Sequence, residues 1–412
     1  MLYLSNDQEP QTETWQKTYT ERKTPLSSMT QLEIAYIQSP EGLALLQLAS
    51  RLDGDELSVL GQLRKSHAAE HCRIAVHLLA LRKRAETKFS RAKDMVFDRE
   101  GLEQSSGETI ARYRAKRYQR FAQITDLCCG IGGDTLAMAE STRVIAADLS
   151  PDRAAITRHN ARVYGVGDNV RTICADVSLW IPPGDALFMD PGRRQGNRRL
   201  YALSDYHPPV DLERLQSVTG NIGLKVAPGM PDSDIPTDCE VEFISESGSC
   251  KEALLWFGDL QSGATRRATL LPGGHSLIHR PTDPAPVQVP GAFIAEPDNA
   301  VVRCHLIDQL ADELNAWKLA PDVAYLSANH PLVSPFTTCY AVQETMPFNL
   351  KSLQKYLSGR QIGRLDIKKR HFPVTPEELR AKLKLKGGGW LTLFLTRIDD
   401  RPVVIVCDPL PT

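Results

Sequence analysis

The sequence predicts an α/β protein: a doubly wound, mostly parallel sheet with crossover helices, a helical domain before it and a small α+β domain after it. Three observations predict this. Asp126-Leu127-Cys128-Cys129-Gly130-Ile131-Gly132-Gly133-Asp134 links an apolar run, Phe121 to Leu127, to a short helical pattern, Thr135 to Glu140. Strand, glycine turn and helix in that order begin a nucleotide-binding α/β unit. Further short apolar runs follow, several of them ending at an acid. Helix-spaced apolar residues fill the segment before the turn, and strand-like runs fill the segment after a proline-rich stretch.

Residues 1 to about 30 are polar and rich in Thr, Gln and Glu, which predicts a loosely held tail. From Gln31 to about Ala92 apolar residues recur at helical spacing: Leu43, Leu46, Leu57, Leu60 and Leu63, then Ile74, Val76, Leu78, Leu79 and Leu81. Asp53-Gly54-Asp55 breaks one helix and can start the next. Residues 1–105 therefore read as tail plus helical domain. Residues 106–280 form the α/β domain. Val144 to Ala147 is a buried strand ending at Asp148, and Pro151 suits the first turn of a helix running to Tyr164. Val170 to Ala175, Ala186 to Met189 and Asn221 to Ala227 are further strands, the first two ending at Asp176 and Asp190. Strands alternating with crossovers imply parallel pairing with right-handed connections. Pro281, Pro284, Pro286 and Pro290 make residues 281–292 a linker. In residues 293–412, Val301 to Trp317 reads as an amphipathic helix. Gly363 to Lys368, Trp390 to Arg397 and Val403 to Cys407 read as strands, with a helix over Pro376 to Leu385.

The chain has 412 residues, 42% of them hydrophobic, ordinary for a globular protein of two or three domains. A formal net charge of −1 excludes a global pull toward polyanions or membranes, so an RNA partner must meet local basic patches. The nine cysteines are scattered without a CxxC pair, which predicts reduced thiols rather than disulfides or a zinc site. Met1 to Pro10 lacks an apolar signal core and no run can span a bilayer, so a cytoplasmic location and no membrane partner are expected.

Ligands of such sheets bind at the carboxyl ends of the strands. Asp126, Asp148, Asp176 and Asp190 all fall at or near strand ends, so four acids are expected to rim one crevice. Asp148 lies 18 residues past Gly130, near the ~20-residue spacing at which an acid meets ribose hydroxyls. Asp126 suits either a ligand contact or a cap on the next helix. The turn is not GxGxxG: Gly133 and Asp134 follow Gly132. An acid at that helix start disfavours a pyrophosphate and suits a cationic or zwitterionic ligand.

On these residues the segment resembles motif I of class I S-adenosylmethionine-dependent methyltransferases. It is similar to the Asp-x-x-Cys-Gly-x-Gly variant of RNA methyltransferases, including the trimethylguanosine synthase group. The resemblance implies a Rossmann-like domain with S-adenosylmethionine as cofactor. It implies that Asp126, Gly130 and Gly132 hold the methionine part, Asp148 the ribose, and Asp176 the adenine amine. Cys129, Asp134, Leu149 and Val177 complete the expected cofactor contacts. Asp190-Pro191-Gly192-Arg193 falls at motif IV, where related enzymes have Asp or Asn, two prolines and an aromatic. Asp190, Pro191 and Arg193 are thus the expected catalytic set, with Asp190 orienting the acceptor. Gly192 and Arg193 replace the second proline and the stacking aromatic. Tyr201 or Tyr206 could supply a ring. Ile367-Lys368-Lys369-Arg370-His371-Phe372, Pro376 to Leu379 and Leu383 to Gly387 resemble a THUMP-like domain, which implies RNA binding.

Three basic groups are candidate RNA contacts: Arg112, Arg114, Lys116, Arg117 and Arg120 beside Tyr113 and Tyr118; Arg193, Arg194, Arg198 and Arg199; and Lys368, Lys369 and Arg370 with Lys382, Lys384 and Lys386. Each equally suits a solvated face. His67-Ala68-Ala69-Glu70-His71 matches an H-x-x-E-H zinc pattern, yet no third ligand is evident, so a polar helix face and no metal are expected. The expected function is methyl transfer to RNA. A protein or small-molecule acceptor, and an RNA-binding protein without turnover, are the alternatives. Oligomeric state is not encoded legibly.

Overall fold

A computed structural model of the protein describes residues 29–195 and 198–409. The expected tail falls almost wholly outside the described residues, as do the side chains of Arg194, Arg198 and Arg199. The chain divides into two compact units, residues 1–184 and 185–412.

The first unit opens with helices over Gln31–Gln38, Pro40–Ser50, Glu56–Leu63 and Ala69–Ala85. Thr30, Ser39 and Asp55 start three of them by accepting backbone N–H bonds, and Thr30 forms a full capping box with Glu33. Helices Arg99–Gln104 and Glu108–Ala115 lead into strand β1 (Gln123–Leu127). The helix Gly133–Ala139, strand β2 (Arg143–Asp148), the helix Pro151–Val163 and strand β3 (Val170–Cys174) complete two parallel crossovers in the order β1-β2-β3.

The helical part and these crossovers share one core. Leu45, Leu63, Leu78 and Phe97 pack in the same cluster as Ile131, Leu136 and Ile156. Asn160, fully buried, ties them together: its Oδ1 accepts from Val96 N–H at 2.9 Å, and its Nδ2 donates to Val96 O (3.1 Å) and Ile131 O (3.0 Å). A buried amide with every bond made fixes one packing geometry.

In the second unit strand β4 (Ala186–Met189) is followed by a short ladder of β5 (Arg194–Gln195) and β6 (Arg198–Arg199). Strands β7 (Ile222–Val226), β8 (Glu240–Glu246), β9 (Ser249–Trp256), β10 (Arg266–Leu271) and β11 (His275–Ile278) follow. Pairing is parallel for β4/β7 and β8/β10, and antiparallel for β7/β9, β8/β9 and β10/β11. The sheet is thus mixed here, not mostly parallel. The cause is the tight Ser247-Gly248 turn, with φ of 51° and 76°, which returns β9 directly beside β8.

The proline-rich segment is pinned rather than loose. Ala285 N–H donates to Asp308, Lys318 N–H to Pro286 O and Gln288 N–H to Lys318 O. Next come β12 (Phe293–Pro297), β13 (Trp317–Lys318), β14 (Leu326–Ala328), β15 (Thr337–Pro347), β16 (Ile362–Lys369), β17 (Gly389–Ile398) and β18 (Arg401–Pro409). They form a second sheet, β13-β14-β12-β15-β18-β17-β16. The β16/β17 pair is its parallel step, crossed by the helix Pro376–Lys382. The helix expected over Val301 to Trp317 is instead two, Asn299–Arg303 and Ile307–Glu313. His305 takes a φ of 56°, and Leu306 N–H reaches back to Val301 O at 3.1 Å, a helix-terminating motif. Trp317 belongs to β13.

Arg114 is 2% exposed and pairs with Asp134, joining the helix Glu108–Ala115 to the helix Gly133–Ala139. Its Nε donates to Asp134 Oδ1 at 3.0 Å. Removing one member of a buried pair strands the other. Arg114→Met should therefore cost about 3–5 kcal/mol in denaturant unfolding. Arg112→Met, on the exposed side of the same helix, should cost about 1 kcal/mol or less.

Candidate functional site

Between β1 and the helix Gly133–Ala139 the backbone enters the left-handed region three times: Cys128 (φ 64°), Gly130 (φ 58°) and Gly132 (φ 91°). A Cβ on Gly132 would also meet Thr157 Cγ2 at 3.1 Å, so glycine is needed there on both counts. A Cβ on Gly130 would meet nothing within 4 Å. The turn therefore presents open space at Gly130, as the close approach of a ligand requires.

Asp148, at the end of β2, closes the turn. It is 7% exposed, accepts from Gly130 N–H at 2.9 Å on Oδ2 and from Ser150 N–H at 2.8 Å on Oδ1. Burial pushes its carboxyl above the usual range, and the two N–H donors pull the other way. Thr157 Oγ1 donates to Gly130 O at 2.9 Å, tying the turn to the helix Pro151–Val163.

Beside Asp148 the surface is apolar and open. Leu149 is 63% exposed, and Leu179 and Trp180 beyond β3 are exposed as well. Asp176 stands at this edge after β3, only partly buried, and accepts from Ser178 N–H at 2.9 Å. Val177, the next residue, is buried. The first unit thus brings Gly130, Gly132, Asp148, Leu149 and Asp176 onto the carboxyl ends of β1, β2 and β3. A hydroxyl-bearing group with a flat apolar part fits such an edge: a carboxylate accepts from hydroxyls, and exposed Leu and Trp cover a ring.

Three of the expected contact residues have side-chain partners inside the protein. Asp134 pairs with Arg114, the carboxylate that this buried guanidinium needs. Asp126 is 1% exposed and accepts from Thr135 Oγ1, so it braces the start of the following helix. The Cys129 thiol is buried 3.8 Å from Thr157 Oγ1, and burial pushes it well above its usual range, while Cys129 N–H donates to Ala147 O. The first basic group is divided, with Lys116 and Arg120 exposed. Arg114 and Tyr118 are buried, and Arg112 is engaged by Glu108 and Glu140.

In the second unit Asp190 and Pro191 leave β4. Gly192 and His207 exchange backbone hydrogen bonds at 2.8 and 2.9 Å, which fixes this loop. Arg193 Nη1 donates to Val226 O at 2.8 Å, and Arg193 Nη2 lies 3.7 Å from Asp190 Oδ1. Of the two candidate rings, Tyr206 is fully buried with its hydroxyl accepting from Ala227 N–H. Tyr201 is exposed and lies over Gly229. A residue that the sequence pattern did not single out is Lys225, buried on β7, whose Nζ donates to Asp190 Oδ2 at 2.7 Å. Its signal is a charge inside the run Ile222-Gly223-Leu224-Lys225-Val226.

Of the last basic group, Lys368 pairs with Glu296 at 2.7 Å and Arg370 lies over the Tyr325 ring, while Lys382, Lys384 and Lys386 are exposed. His71 stacks on Tyr36 at 3.7 Å between ring centres, and His67 meets Ser66. Among the described residues no group of three metal-ligating side chains occurs, and no helix is long and apolar enough to cross a membrane. A cavity of about 580 Å³ lies in the second unit, lined by Lys369, His371, Phe372 and Arg397 among others, and by none of the expected site residues.

Comparison with known proteins gives three family matches. Residues 121–188 match the RNA cap guanine-N2 methyltransferase family, 337–409 the THUMP domain-like family, and 31–85 a domain family of unknown function. Two Mycobacterium tuberculosis proteins, from strains CDC 1551 and H37Rv, are described as S-adenosylmethionine-dependent methyltransferases. Each is 31% identical over 337 residues, covering 78% of this chain and 92% of its own. The crystal structure of a candidate methyltransferase from Porphyromonas gingivalis W83 aligns at a TM-score of 0.76 with 20% identity, covering 93% of this chain and 100% of that one.

Asp148 generates a pH test. Its folded-state carboxyl holds a proton to higher pH than the unfolded chain does, so its contribution is complete at acid pH and is lost as pH rises through the folded-state titration. Asp148→Asn should therefore gain stability relative to the parent between about pH 4 and pH 7. Denaturant unfolding at both pH values measures this.

Proposed function

We propose, from the premise that this chain belongs to the S-adenosylmethionine-dependent methyltransferases, that its methyl acceptor is RNA. The observation that carries the cofactor side is Asp148 at the end of β2, an acceptor beside open space at Gly130. When bound, S-adenosylmethionine would supply a methyl group whose bond to the sulfonium sulfur breaks to release a neutral thioether, a good leaving group. The chain's own residues bind and align. Gly130 and Gly132 let the backbone approach the methionine part. The Asp148 carboxylate takes the ribose hydroxyls, Leu149 lies along the adenine, and Asp176 with Val177 meets its amine edge. Asp190, followed by Pro191, accepts a hydrogen bond from the acceptor group and so orients it for methyl transfer. Alignment is the larger demand, because holding two reactants in line removes most of the entropic barrier.

RNA as acceptor is supported by the family matched over residues 121–188, which methylates RNA cap guanine, and by the THUMP domain-like match. Exposed Lys382, Lys384 and Lys386 offer a local basic patch on a chain of formal net charge −1. The motif IV loop lacks the aromatic of exocyclic-amine methylases. Tyr201 is the exposed ring able to replace it.

The test has two parts. Calorimetry with S-adenosylmethionine should show Asp148→Ala weakened by about 10- to 100-fold, the loss of hydrogen bonds to a charged acceptor. Nucleoside profiles of RNA from cells with and without the gene should differ by one methylated nucleoside. Identical profiles with cofactor binding intact would move the acceptor to a protein or small molecule.

A further inference from the structure

A lysine inside an apolar strand requires a partner, because burying an ammonium costs several kcal/mol. Lys225 sits on β7 with Ile222, Gly223, Leu224 and Val226, all buried. Its Nζ donates to Asp190 Oδ2 at 2.7 Å and lies 3.6 Å from Glu252 Oε2 on β9. Glu252 is itself buried, whereas the Asp190 side chain is 20% exposed. Arg193 approaches the other oxygen of Asp190. Such buried ionic clusters are often replaceable by apolar side chains without loss of stability. The exposed member of this cluster, Asp190, is the one able to meet a substrate.

We infer that Lys225 is a positioning residue for methyl transfer: it fixes the Asp190 carboxylate in one orientation, and Glu252 seats the ammonium. This rests on Asp190 being the group that orients the acceptor. A carboxylate on a loop otherwise has rotational freedom about two side-chain bonds. One bond to a buried, rigid donor removes it and leaves an acceptor-only group facing the substrate. Lysine gives a point-like donor on β7, and the antiparallel β7/β9 pairing, with Lys225 opposite Leu254, holds Lys225 and Glu252 on adjacent strands in fixed register.

Crystal structures and kinetics of three variants test this: Lys225→Arg, Glu252→Gln, and Lys225→Met combined with Glu252→Gln. The double variant avoids stranding Glu252 without its cation. In it the Asp190 carboxylate should turn away or split into several conformers, while both single variants keep its position. Tritiated methyl transfer to total RNA from cells lacking the gene should fall roughly 100-fold in kcat in the double variant, with KM for S-adenosylmethionine within about twofold. Lys225→Arg should retain about a tenth of the rate or more, and Glu252→Gln should stay within about threefold of the parent. Asp190 unmoved in the double variant, or a kcat there within about threefold of the parent, overturns the inference. If the parent transfers nothing to that RNA, while Asp190 is displaced only in the double variant, the RNA acceptor falls and the role of Lys225 stands.

Discussion

The hydrogen bond from the Gly130 amide to the Asp148 carboxylate governs the ligand edge of the first unit. It joins the turn after β1 to the end of β2. It holds Gly130 at a φ that an unbraced L-residue rarely adopts. It also gives a buried carboxylate a donor that opposes, without cancelling, the push of burial toward the protonated form. Thr157, Ser150 and Asn160 reinforce the same junction from the helix Pro151–Val163 and its cap, so hydrogen bonds tie the turn, strand and helix together.

The acids around that turn are not equivalent. Asp126 is occupied by Thr135, and Asp134 by Arg114. Both sit under the surface and brace the helix Gly133–Ala139. The Asp134 charge is paired with Arg114 inside the protein. Asp148 and Asp176, with the open apolar surface of Leu149, Leu179 and Trp180, remain at the edge. A methyltransferase needs rigidity here, because the reaction depends on alignment more than on acid–base chemistry.

Much of this was legible in the sequence where local pattern and burial agree. β1, β2, β3, β4 and β7 are short apolar runs, and the helix after Ser150 carries its own cap and Pro151. Legibility failed where tertiary partners decide. Arg112, Arg114 and Tyr118 resemble a solvated basic face, since nothing local tells that Asp134 lies against Arg114. The break at His305 comes from a positive-φ backbone state that non-glycine residues seldom take, histidine more readily than most. β15 alternates weakly because few of its residues are buried. Lys225 was visible as a charge in an apolar strand, but its partners Asp190 and Glu252 lie 35 and 27 residues away in sequence.

A crystal structure with S-adenosylhomocysteine bound tests the central claim most directly, that the end of β2 takes the cofactor's ribose. Both ribose hydroxyls within hydrogen-bonding distance of the Asp148 carboxylate, with the adenine along Leu149, is the expected result. A ribose bound elsewhere, with Asp148 still bonded only to Gly130 and Ser150, would contradict it.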